Sequence, residues 1–60
     1  MITAKDKLDE VLREIGYRQD VYPLLIAAGK MNQKTAARRI AVMRDIANDY
    51  QGELEKELLL

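Results

Sequence analysis

The sequence predicts an all-α fold, an antiparallel hairpin of two long helices, and three observations carry that expectation. Apolar residues recur at Ala36, Ile40, Met43, Ala47, Tyr50 and Leu54 in steps of three and four, which places them on one stripe of a helix and on no face of a strand. A second set, Leu8, Val11, Leu12, Ile15, Tyr22, Leu25 and Ile26, keeps the same phase upstream. Between the two sets stands Gly29-Lys30-Met31-Asn32, a short passage with a helix stop at one end and a helix start at the other.

The first helix begins at Thr3, an N-cap residue with Asp6 three places on, as in a capping box. Asp9–Arg13 and Glu14–Arg18 are spaced i,i+4 with the acid first, the favoured order for a surface ion pair. Gly16–Pro23 is its weak part. Gly16 costs about 1 kcal/mol against Ala in a helix interior, and Pro23 has no N–H to give the carbonyl of Gln19. Asp20 offers an alternative cap for a separate short helix with Pro23 in its first turn. The apolar phase crosses this stretch unbroken, which favours one helix over about residues 4–28, kinked near 19–23.

Gly29 follows the run Leu-Leu-Ile-Ala-Ala at a typical left-handed C′ position. Asn32 caps the second helix, expected over about 33–58 with Gly52 a weak point. So short a connection makes the two helices antiparallel neighbours.

Composition narrows the possibilities. With 48% hydrophobic and 33% charged residues, the chain belongs with folded helical proteins and not with disordered ones. A 60-residue chain buries only about 60% of its unfolded surface and is marginal alone. Disulfides, metals or self-association usually compensate. Cys and His are absent, which removes disulfides and thiolate or imidazole metal sites and leaves self-association. No apolar run reaches membrane-spanning length and Met1–Glu10 lacks a signal-peptide pattern. The expected location is the cytoplasm, with no membrane partner.

Ala37, Ala41, Val42 and Ile46 widen the apolar face of the second helix, and Val11, Val21 and Leu24 that of the first. Faces this wide are buried in bundles of more than two helices. The economical solution is a homodimer of hairpins, a four-helix bundle, with Leu12, Ile15, Tyr22, Ile26, Ile40, Met43, Ala47, Tyr50 and Leu54 forming its core.

Charge adds an orientation. Net charge is zero, but Met1–Gly29 holds four cations against five acids. Lys30–Arg44 holds five cations and no acid, and Asp45–Leu60 holds one cation against five acids. The second helix is thus basic first and acidic last, against the macrodipole preference. Two hairpins laid antiparallel set each basic loop end beside the other's acidic open end, whereas a parallel pair stacks like on like.

The sharpest candidate site is the basic loop end, Arg18, Lys30, Lys34, Arg38 and Arg39, beside a helix N-terminus that favours anions. It suits phosphate or an acidic partner surface. The plainer reading is solvated side chains facing a sister subunit. The carboxylates Asp45, Asp49, Glu53 and Glu57 follow at i,i+4 but lack the loop geometry of a calcium site, and a solvated face describes them better. Tyr22 and Tyr50 fall on the core stripes with hydroxyls outward. Tyr17 falls off the stripe, and Arg18 is spaced to stack on Tyr22. The apolar tail Leu58–Leu60 is expected to cover Ile2 and Leu54. With no His, Cys or Ser and no Gly-rich phosphate loop, the chain carries no recognisable catalytic set and nothing for a cofactor. The expectation is a non-enzymatic protein-interaction module with an unidentified protein partner. Nucleic-acid binding through the basic loop end, or a role in virion assembly, is the alternative.

The run Arg18–Tyr50 resembles a group of short uncharacterised proteins of phages and prophages. The similarity rests on Tyr22-Pro23, Ala28-Gly29-Lys30, Ala37, Ile40, Met43, Ile46 and Asp49-Tyr50. Such proteins are often richer in arginine before the Tyr-Pro pair, where this chain has Gln19 and Asp20. The resemblance implies a phage-related accessory protein of a phage-infected host cell; small size, no chemistry and a polarised surface separately fit a host-directed inhibitor.

Overall fold

Two helices and one reversing turn account for the chain in the computed structural model, which describes residues 1–59. Helix α1 runs Ala4–Ala27 and α2 runs Gln33–Leu58. They pack side by side as an antiparallel hairpin, and no strand forms among the described residues.

Each helix end is specified by local hydrogen bonds. Thr3 Oγ1 accepts from the Asp6 N–H at 3.1 Å while Asp6 Oδ2 accepts from the Thr3 N–H at 2.9 Å, a reciprocal capping box. At the other end of α1, Gly29 takes φ 70°. Its N–H donates to the Ile26 carbonyl at 3.0 Å and the Lys30 N–H donates to Leu25 at 2.8 Å. This is the Schellman arrangement, and it needs a left-handed residue at Gly29. Asn32 Oδ1 then accepts from the Lys34 N–H at 2.7 Å and opens α2.

Helix α1 continues through Pro23 without a break. The apolar contacts on both sides of the proline outweigh one missing hydrogen bond. Gly52 does not end α2 either, for the helix continues to Leu58, anchored by half-buried Tyr50 and Leu54 around it.

The core is small. Leu8, Ile15 and Ala47 form its centre, with Val11, Met43, Tyr50 and Leu54 packed against them, and Ala4 and Ala36 close it towards its ends. Ile40, Tyr22 and Ile26 are half-buried. Among the described residues no large side chain is fully shut from solvent. Leu12, expected in the seam, remains 52% exposed, because four residues turn it about 40° round the helix from Leu8. Leu24 is 70% exposed and Leu59 87%. The expected cover over Ile2 does not form, for Leu58, Leu59 and Ile2 are all exposed, while Leu54 is half-buried against the core. Leu60 falls outside the described residues.

Surface pairing also differs from expectation. Asp9 pairs with Lys5 at 2.7 Å, so Arg13 turns to Glu10 at 3.6 Å instead. Glu14–Arg18 forms as spaced, at 2.8 Å.

Three outcomes follow. Ile15→Ala should cost at least about 2 kcal/mol in urea unfolding and Leu24→Ala less than about 0.5, buried against exposed. Gly29→Ala should cost about 1–2 kcal/mol, the penalty of a left-handed L-residue. The Thr3 hydrogen bonds hold the Asp6 carboxyl below its ordinary value. A depressed folded value gives stability that is present above the ordinary carboxylate range and lost as pH falls through the folded value. NMR of the Thr3 and Asp6 amides should show the first turn of α1 loosening below about pH 4, and Asp6→Asn should abolish that dependence.

Candidate functional site

Basic side chains from the turn onward supply the most distinctive surface, and the fold divides them. Lys34, Arg38 and Arg39 rise from the first two turns of α2 and, with Asn32 and Thr35, line an open hollow. Lys34 and Arg38 are one helical turn apart, so they share a face. Lys30, on the turn, is exposed but does not line this hollow.

Arg18 stands apart from them. Its Nε donates to Glu14 Oε1 at 2.8 Å. That hydrogen bond, with smaller help from Tyr22, holds the guanidinium above its ordinary value. Arg18 instead lines a groove between the helices with Gln19, Tyr22, Pro23 and Ile26 of α1 and Gln33, Ala36, Ala37 and Ile40 of α2. The groove encloses about 420 Å³ and continues, through Gln19, into a second hollow beside Leu12, Ile15, Gly16, Arg44, Ala47 and Asn48. Small residues on both helices keep it open. A Cβ built on Gly16 would meet nothing within 4 Å.

Ion pairing is uneven along the chain. Among the described residues every salt bridge lies within α1. Among the described residues no salt bridge joins the cations of Lys30–Arg44 to any acid, nor the acids of α2 to any cation. The carboxylates Asp45, Asp49, Glu53 and Glu57 are all exposed. No group of three carboxylates converges as ligands of a metal ion would, among the described residues. No helix of the described residues is long and apolar enough to cross a membrane.

The cation over an aromatic ring is Lys7, not Arg18: its Nζ lies 5.6 Å from the centroid of Tyr50. The contact joins α1 to α2 near the open end. Sequence spacing could not reveal it, because it depends on how the helices align along each other. Arg18, spaced to stack on Tyr22, is drawn to Glu14.

No protein-family model, curated protein or solved structure matches the chain.

Lys7→Met should cost about 0.5–1 kcal/mol, the range for a cation on a ring at an exposed site. In Tyr50→Leu the same change should cost close to nothing. A double-mutant cycle measured by urea unfolding reads the coupling.

Proposed function

We propose that this chain is a non-enzymatic protein-interaction module that works as a head-to-foot homodimer, a four-helix bundle of two hairpins, and then engages a further protein. The observation that carries this reading is the hairpin's thinness. Its principal extents are 48 × 19 × 13 Å, one layer of helices where stable domains stack at least two. Its radius of gyration is 14.2 Å, against about 10 Å for a compact chain of this length. It exposes 4906 Å², whereas a compact monomer of 6.9 kDa exposes about 4000 Å². The excess is close to the ~800 Å² that one partner gives to a standard interface. Resemblance to small phage and prophage proteins supports a phage-related accessory role, in which a host protein is the natural further partner.

Sedimentation at micromolar concentration should report twice the 6.9 kDa chain mass. The dimer should weaken as salt is raised, because charge orients it. A chain-mass species at every concentration would overturn the reading.

One observation favours a second reading. Lys34, Arg38 and Arg39 gather round one hollow free of salt bridges, an arrangement suited to phosphates of a nucleic acid. That reading requires binding that falls steeply with salt and disappears in Arg38→Glu/Arg39→Glu. Mobility shifts on DNA and RNA at two salt concentrations decide it.

A further inference from the structure

The change of charge sign in α2 falls at that helix's midpoint. Lys34, Arg38, Arg39 and Arg44 occupy its first half; from Asp45 onward come Asp45, Asp49, Glu53, Glu55 and Glu57, with Lys56 the exception. For Gln33–Leu58, the centre lies between Asp45 and Ile46. A rod charged in this way is complementary to a reversed copy of itself. We infer that α2 pairs antiparallel with α2 of a second copy, and α1 with α1, through the face that carries the groove. This rests on the homodimer proposed above and specifies its interface.

Geometry leaves few choices. Two flat hairpins stacked face to face by a two-fold axis have that axis in the plane between them. With the axis along the helices the copies are parallel, and each α1 faces the other's α2. With the axis across the helices the copies run head to foot and like helices face each other. Only the second arrangement runs the cationic half of α2 along the length of the acidic half of its counterpart; Arg44 is the one α2 charge that lines the groove itself, and Lys34, Arg38, Arg39 and the carboxylates lie off it.

The choice of face follows from its lining. Interface cores are depleted in charge, and no carboxylate lines the groove. Its polar residues are the amides Gln19, Gln33 and Asn48, together with Arg18, already held by Glu14, and Arg44. A broad face measures 48 × 19 Å, roughly 900 Å², matching the ~800 Å² a standard interface takes from each partner. Leu12 stands 52% exposed at the groove's edge, three to four residues before the midpoint of α1. The two-fold places the second copy's Leu12 an equal ~5 Å beyond that midpoint, beside Gln19, where the two hollows join. Arg44, next to the axis, comes within reach of the second copy's Asn48.

The chain has no cysteine, so single-cysteine variants report the interface cleanly. Gly16→Cys and Arg44→Cys place a thiol on the groove face near the axis; Tyr17→Cys and Val42→Cys place one on exposed positions away from it. With a bismaleimide spanning ~8–10 Å, the usual separation of packed helices, the first two should each form cross-linked dimer at several times the yield of the last two. If sedimentation finds only monomer, the homodimer itself fails and this inference with it. If the protein is dimeric but Tyr17→Cys or Val42→Cys links while Gly16→Cys and Arg44→Cys do not, only the assigned face is overturned. If Gly16→Cys links only when mixed with Arg44→Cys, each α1 faces an α2 and the head-to-foot order is overturned. As a second measurement, Gly16→Leu starts from a position where a Cβ meets nothing within 4 Å in the hairpin and improves helix propensity. It should nevertheless weaken self-association at least tenfold; unchanged association would count against the groove.

Discussion

Packing along a single seam between α1 and α2 is the constraint on which the rest of this molecule depends. Leu8 and Ile15 from one helix and Ala47 from the other are its centre, and Val11, Met43, Tyr50 and Leu54 close round them. The small residues Ala36 and Ala47 are among the most buried in the seam. Alanines at these positions contribute little buried area, while a larger neighbour such as Leu12 is left at the margin. At about 25 cal/mol per Å², a seam of this size cannot greatly exceed the conformational entropy of ordering so short a chain. Local devices help at the ends, where the capping box, the Schellman turn at Gly29 and the Asn32 cap satisfy backbone groups that would otherwise rely on water.

Electrostatics work differently in the two helices. In α1, acids and bases alternate closely enough to pair within a turn, and each pair contributes only a few tenths of a kcal/mol. In α2 the signs are segregated, and isolated-helix stability is worse for it, since cations lie towards the positive end of the dipole. Segregation of this kind is useful only towards something outside the chain. A reversed copy of α2 answers it over the whole length, whereas a polyanion would answer only the first half. The proposed homodimer would therefore account for the acidic half as well as the basic one.

Much of the architecture was legible in residue spacing, because helical periodicity, caps and the left-handed glycine are local properties. The stripe from Ala36 to Leu54, the Thr3 box and the Gly29 stop all stand where local chemistry puts them. What depends on alignment between the helices was not legible. The Lys7–Tyr50 contact and the groove round Gln19 arise from how far α1 slides along α2, whereas Arg18 stands apart from the other cations because it lies about three helical turns before Gly29 on α1. Competition among nearby charges was the other obscure point: Asp9 has Lys5 and Arg13 at equal spacing, and sequence order does not decide between them. The tail at Leu58 and Leu59 misled because apolar residues imply a partner without saying that it lies within the same chain.

Should one unfinished layer be completed by a second copy, folding and association become one process, and stability depends on concentration. Thermal unfolding followed by circular dichroism over a hundredfold range of chain concentration tests this most directly. A midpoint that climbs steadily with concentration is the result predicted here. A midpoint that stays fixed, with a cooperative transition at the lowest concentration, would mean that the lone hairpin is complete, and would contradict the account.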